Sequence, residues 1–322
     1  MTDVGPGAEK ELHPGSVIAS GQTLSDQRAG VFVVGMHRSG TSALSRIINL
    51  LGVPICIDND LMVGDGNPTG HWESDSLAKV NEDLLHMVGA AWNAPPSAEE
   101  NLLHEGTLLG EVARGRRAFR AVHPTRQWVW KDPRLCLLLP FWRLALPDRQ
   151  TVVLITRPPA EIAASLTARD GLPHQHAVAM WERYLRCALS ASQGMPTLVV
   201  EFGDLIDEPE KWCEVAQSFL YENGIRVEGS LQEAAAFVRR DLHHHGQAQG
   251  VPLSASSRRL LQILRALKGP HARLPDLSLP PESRGVASVL ESTRRTWGWV
   301  GSFLPPSAVH REAPSAKGGT VQ

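Results

Sequence analysis

Cysteine is too scarce and too scattered to organise this chain. Its 322 residues hold four, Cys56, Cys136, Cys187 and Cys213, with no CxxC pair, which excludes a disulfide framework and a zinc pattern. Buried, reduced thiols are the default reading. Net charge is lacking as well, since 32 Lys plus Arg stand against 34 Asp plus Glu. That balance excludes a general basic field for a nucleic acid or an anionic membrane, so an anionic ligand must be held by a local site. Long apolar runs are also missing. Residues 1–29 are polar and rich in Gly and Ser, without the stretch of a signal peptide or membrane helix, and this points to a cytoplasmic protein with no membrane span. No internal repeat is visible.

What is present is an alternation of short apolar runs with amphipathic stretches. Residues 1–29 and 306–322 read as disordered tails, because they have too little to bury against the entropy of ordering. Between them, Val31–Val34, Trp128–Trp130, Thr151–Thr156 and Thr197–Val200 have the length and composition of buried parallel strands. Helical patterns follow at Ser39–Leu51, at Pro158–Ala168, whose prolines suit a first turn, and at Glu208–Tyr221. Asp75–Met87, Ala98–Ala121 and His174–Ser192 read as helical insertions or covering layers. The expectation is an α/β fold over residues 30–253, with a mostly parallel sheet flanked by helices. A helical C-terminal extension, 254–305, carries the patterns Arg258–Lys268 and Gly285–Trp297 around a Pro-rich linker. It is either a cap or an arm to a partner; the oligomeric state is left open, a homodimer included.

The residues that end the strands carry the chemistry. Gly35, Lys131, Arg157 and Glu201 follow the proposed strands and collect at the carboxyl edge, where open α/β sheets bind ligands. After the first comes Gly35-Met36-His37-Arg38-Ser39-Gly40-Thr41-Ser42. Glycines at its first and sixth positions let the backbone N–H groups and a helix N-terminus face one anion. The spacing equals that of a Walker A loop, but Thr41 stands where a nucleoside triphosphatase needs Lys, which counts against a magnesium-dependent kinase. Arg38 supplies the fixed charge and can fork onto two oxygens. A plain glycine turn with an exposed Arg is the alternative, disfavoured by the strand before and the helix after. Arg157 ends the third strand, and Ser165 lies eight residues later on the outgoing helix, so the two can converge on one phosphate.

At these residues the chain resembles the sulfotransferases that use 3'-phosphoadenosine 5'-phosphosulfate (PAPS), which have a P-loop-like fold. Their 5'-phosphosulfate loop runs strand, Pro-Arg/Lys-Ser-Gly-Thr-Ser/Thr, helix, with His37 here in place of the Pro. The resemblance implies that Gly35, His37, Arg38, Ser39, Gly40, Thr41 and Ser42 hold the 5'-phosphate end, and Arg157 and Ser165 the 3'-phosphate. Glu201-Phe202-Gly203-Asp204-Leu205, with Pro209 and Phe219-Leu220, is similar to the family's Tyr-Glu-Asp-Leu stretch near the adenine, with Phe202 and Gly203 departing from it. The Arg-Lys-Gly segment of many eukaryotic members is not recognisable, so closure over the nucleotide falls to other residues, such as Arg239–His243. Lys131, in Trp130-Lys131-Asp132-Pro133-Arg134, resembles the Lys of the Lys-Asp-Pro motif in tyrosylprotein sulfotransferases, where it stabilises the transferring group. An ordinary pair with Asp132 is its bland alternative.

Sulfonyl transfer also needs a base for the acceptor. Family members use either a Glu or a His, and the loop Asn67-Pro68-Thr69-Gly70-His71-Trp72-Glu73 offers both. Glu73 is preferred and His71 is the alternative; helix capping and a loop hydrogen bond are their respective non-catalytic roles. His243-His244-His245 makes no metal site, since consecutive side chains diverge. Trp72, Trp92, Trp128, Trp130, Trp142 and Trp181 default to core packing, with stacking platforms among them. The resemblance thus implies metal-free transfer of a sulfonate from PAPS, leaving 3',5'-ADP (PAP), to the hydroxyl or amine of a small-molecule, carbohydrate or lipid acceptor. A P-loop kinase or other phosphotransferase and a noncatalytic nucleotide-binding protein are the competing classes.

Overall fold

The structure, a computed structural model, describes residues 27–63, 70–97, 108–238 and 252–300, with side chains to 295. Its strands are β1 (Ala29–Val34), β2 (Gln127–Lys131), β3 (Arg149–Thr156), β4 (Thr197–Glu201) and β5 (Gly269–His271). They form one five-stranded sheet in the order β2-β1-β3-β4-β5. β1 is parallel to β2 and β3, β3 is parallel to β4, and β5 returns antiparallel along β4. Every residue of β1 is buried, as expected of a parallel strand covered on both faces.

The helices are α1 (Thr41–Leu50), α2 (Asp75–Met87), α3 (Val112–Val122), α4 (Leu135–Ala145), α5 (Pro159–Asp170), α6 (His174–Ser192), α7 (Phe202–Asp207), α8 (Pro209–Glu222), α9 (Leu231–Phe237), α10 (Ala255–Ala266) and α11 (Arg284–Val300). Alternation along the strands splits the core into two layers. Val31, Val33, Val129, Val153 and Ile155 pack with α1, α7, α8 and α9. Phe32, Val34, Trp128, Trp130, Val152 and Leu154 pack with the remaining helices on the other face. The helix after β1 therefore lies on one face and the helix after β3 on the other. Since β1 and β3 are neighbours, a crevice opens between their carboxyl ends, where doubly wound sheets bind ligands.

Four elements, α4, α7, α9 and β5, lie outside the sequence expectation, and two of them, α4 and β5, do so for clear physical reasons. α4 buries eight of its eleven residues and carries Pro140 inside; its exposed strip of Pro140, Arg143 and Leu144 is narrow and begins with a residue that ordinarily breaks a helix, which masks the helical signal. β5 is Gly269-Pro270-His271, with neither length nor β-branched residues; it exists because the exposed edge of β4 can pair with it. Of the stretch Ala98–Ala121, residues 98–107 lie outside the described residues, and the helix is Val112–Val122. Residues 1–26 and 301–322, hence nearly all of both expected tails, also lie outside them. The C-terminal helices join the main core through Leu260, Leu264, Leu267, Leu274, Val286 and Leu290. Beneath them Glu182 is fully buried, paired with Arg186 at 2.9 Å and accepting from Ser257 Oγ at 2.5 Å.

His123, between α3 and β2, is 1% exposed and stacks on Phe119 with ring centroids 4.6 Å apart. Neither ring nitrogen has a hydrogen-bond partner among the described residues. Burial pushes its pKa down from 6.5 to about 3. The unfolded chain takes up this proton near the ordinary value while the folded protein refuses it until near pH 3. The contribution to stability is therefore whole above the ordinary value and is lost progressively as pH falls through that window. Between pH 7 and pH 5, denaturant titrations should show the wild type losing on the order of 2 kcal/mol more stability than His123→Phe. Equal losses in the two proteins would remove His123 from the account of acid sensitivity.

Candidate active site

The loop after β1 is shaped by close approach. A side chain at Gly35 would place its Cβ 2.6 Å from the Ile155 carbonyl oxygen and 2.8 Å from Ser39 Oγ. Ser39 closes the turn, its N–H and Oγ both donating to the Met36 carbonyl at 3.1 and 2.6 Å. Arg38 and Gly40 then take the left-handed conformation, with φ 68° and 92°. At Gly40 this is unstrained and sterically required, because a Cβ would collide with the Phe202 ring. α1 begins directly afterwards with no side-chain cap, which leaves its first N–H groups to an anion.

The second expected anion site meets the first across the β1/β3 crevice. Arg157 is 5% exposed. Its Nη1 donates to the Arg38 carbonyl at 3.1 Å, its Nε bonds Glu161 at 2.8 Å, and its guanidinium lies 4.9 Å over the Phe202 ring. Nη2 is shielded and has no partner among the described residues. Ser165 Oγ accepts from Arg38 Nε at 2.9 Å, so Arg38 rests on the hydroxyl assigned to the other phosphate. Burial, followed by the charges of Arg169 and Arg157, lowers the Arg38 pKa. An orphaned guanidinium nitrogen, gathered cations and an uncapped helix start suit a nucleotide carrying two anionic groups. Phe202, noted in the sequence only as a departure from Tyr, is thus a floor for Arg157 and a wall for Gly40.

His37 packs its ring against Trp92 (centroids 4.9 Å) and the edge of Tyr184 (5.7 Å). Burial first, then Arg134, Arg169, Lys131 and Arg38, hold its pKa well below the ordinary value, so the ring is neutral at physiological pH. Lys131 ends β2 opposite Val33 of β1 and is 1% exposed. Its Nζ donates to Ser42 Oγ at 3.1 Å and forms an ion pair with Glu73. Asp132 is engaged elsewhere, accepting from Asn81 Nδ2 at 2.9 Å and from Arg134 N and Nη1 at 2.8 and 3.0 Å. Nor does Glu73 cap α2, since Ser74 is the cap residue, accepting from Leu77 N at 3.1 Å. His71 lies two residues before Glu73, half-buried. Asn67–Thr69 and Arg239–His245 fall outside the described residues.

Residues 30–221 match the Sulfotransferase family. This chain belongs to that family. The matched span carries Gly35–Ser42, Glu73, Lys131, Arg157 and Ser165 alike. Two solved structures are similar to this sulfotransferase. The sulfotransferase domain from the curacin biosynthetic pathway is 16% identical, with 73% of this chain and 96% of that one covered at a TM-score of 0.43. The sulfotransferase domain from the Synechococcus PCC 7002 olefin synthase is 17% identical, with 83% and 94% covered at 0.41. No curated protein matches.

Of the tryptophans singled out, Trp128, Trp130, Trp142 and Trp181 are buried in the core of the sulfotransferase, whereas Trp72 and Trp92 are half-buried beside the site. Among the described residues no group of three or more His, Cys, Asp or Glu is arranged to hold a metal ion. None of the described helices is long and apolar enough to cross a membrane.

Proposed function

We propose that this sulfotransferase takes its sulfonate from PAPS and delivers it by in-line displacement to a hydroxyl or amine of a small-molecule, carbohydrate or lipid acceptor. The observation that carries the reading is the convergence of Arg38, Arg157, Ser165 and the uncapped start of α1 in the β1/β3 crevice, with the Lys131–Glu73 pair at the end of the neighbouring β2. When bound, PAPS supplies a sulfonate already joined to a good leaving group. The N–H groups of Ser39 to Ser42 hold the 5'-phosphate, and Arg157 with Ser165 holds the 3'-phosphate once Arg38 lets go of the serine. Arg38 then turns to the leaving oxygen. Lys131 moves its charge from Glu73 to the equatorial oxygens of the transferring group, and the freed Glu73 carboxylate takes the proton of the acceptor.

The donor assignment is tested by calorimetry with 3',5'-ADP and 5'-AMP, which differ by the phosphate assigned to Arg157 and Ser165. Arg157→Ala should weaken 3',5'-ADP by on the order of 2 kcal/mol, roughly thirtyfold, with a smaller loss for Ser165→Ala and little change for 5'-AMP in either variant. Equal losses for both nucleotides would overturn the assignment. Labelled PAPS offered with a panel of alcohols, phenols, amines, sugars and lipids then identifies the acceptor class.

A further inference from the structure

The residue beside the proposed base has an unusual backbone. Trp72 sits at φ 54°, a left-handed conformation that a bulky side chain rarely adopts, and such strain persists only where the surroundings over-determine it. The surroundings here are specific. Gly70, at φ 91°, makes the turn, and a Cβ there would stand 3.1 Å from the indole. From α1, the Arg46 guanidinium lies 4.4 Å from the centre of the Trp72 ring and is itself braced by Asn49 Oδ1. After Glu73 the chain is pinned again, because the Met62 N–H donates to the Glu73 carbonyl at 2.8 Å.

Arg46 lies four residues after Ser42 on the same helix, hence on the same face one turn on. Ser42 accepts from Lys131, Lys131 pairs with Glu73, Glu73 follows Trp72, and Trp72 stacks under Arg46. The contacts close a ring, in which the helix that opens with the phosphate loop grips the proposed base at two points.

We infer that Arg46, through its stack on Trp72, is a positioning residue that holds Glu73 in line with Lys131 for proton abstraction from the acceptor. The inference rests on the reading of Glu73 as the base. Arg46 acts through Trp72: its cation–π contact fixes the indole, and the indole fixes the backbone from which Glu73 projects. A looser turn leaves donor binding intact but lets the carboxylate wander, which lowers kcat rather than affinity.

The experiment compares Arg46→Ala, Arg46→Lys, Trp72→Ala, the double variant Arg46→Ala/Trp72→Ala, and Glu73→Gln. Rates are read with a primary alkyl alcohol, with a phenol and with water alone as acceptor. Hydrogen exchange of residues 70–76 and calorimetry with 3',5'-ADP accompany them. Arg46→Ala should lower kcat with the alcohol roughly tenfold or more, and less with the phenol, as expected when the orientation of a base is lost. Exchange in the turn should quicken, the 3',5'-ADP affinity should stay within about twofold, and Arg46→Lys should recover part of the rate because it keeps the cation. The double variant should be no worse than the poorer single one. Unchanged exchange, or normal turnover in Arg46→Ala beside a crippled Glu73→Gln, overturns the clamp and leaves the base standing. A parallel loss of nucleotide affinity overturns it too, by moving Arg46 into the donor site. A fully active Glu73→Gln overturns the base assignment and the clamp with it.

Discussion

Lys131→Met should lower turnover by about a thousandfold while 3',5'-ADP binds nearly as in the wild type, since a single preorganised donor aimed at developing charge is worth roughly a hundred- to a thousandfold and Lys131 brings a whole charge. The side chain is 1% exposed, so its field is little screened by water. Methionine keeps most of the volume and removes only the cation. One complication is physical. Without Lys131 the Glu73 carboxylate, 11% exposed, loses its ion-pair partner, and breaking such a pair from one side costs about 3–5 kcal/mol. A fall in stability is therefore expected beside the fall in rate. The double variant Lys131→Met/Glu73→Gln separates them: its melting temperature should return toward the wild type, while its turnover should fall well below that of Glu73→Gln alone. If the double variant turns over as fast as Glu73→Gln alone, Lys131 is a structural partner of Glu73 and the transferring oxygens find their charge elsewhere.

Glu73→Gln is the second large effect. The amide keeps the shape and can still meet Lys131, but it has no basicity. Turnover with an aliphatic alcohol should drop roughly a hundredfold or more at nearly constant 3',5'-ADP affinity. A phenol, more acidic by several units, parts with its proton more readily and should suffer less. His71→Ala is the comparison, since His71 shares the turn. Should Glu73→Gln work normally while His71→Ala is dead with nucleotide bound, the base is His71. Loss of nucleotide binding in both would make the turn structural.

Much of the site was legible because anion recognition leaves short-range marks. A strand, two glycines at fixed spacing and a helix specify the proposed phosphate loop, and all of them are local. Arg157 and Lys131 were legible as polar residues at strand ends, which topology then brings to one edge. What the sequence hid depends on distant partners. Nothing near Lys131 tells that it pairs with Glu73 rather than the adjacent Asp132; that follows from the loop before α2 folding back over the end of β2. Arg38 and Ser165 are 127 positions apart, and their contact exists only because β1 and β3 are neighbours. His37 stands within the phosphate motif, yet its ring packs on Trp92 and Tyr184 from the covering layer. α4 is masked by the proline inside it and by an exposed strip only three residues wide, and β5 is masked because a strand made by edge pairing needs no β-forming composition.

The pairing of β5 with β4, and the Glu182 carboxylate lying under α10, bear on where this molecule can be cut. A fragment trimmed to residues 30–221, the span that matches the family, would leave β4 with a bare edge. It would also strip Leu260, Leu264 and Leu290 from the apolar face of α6 and take Ser257 away from Glu182. Bare strand edges recruit other chains, and a deeply placed carboxylate deprived of a donor weakens the helix that carries it. The smallest autonomous unit therefore reaches beyond the recognised span to α10 and β5, and recombinant boundaries drawn at the span itself invite self-association rather than a minimal enzyme.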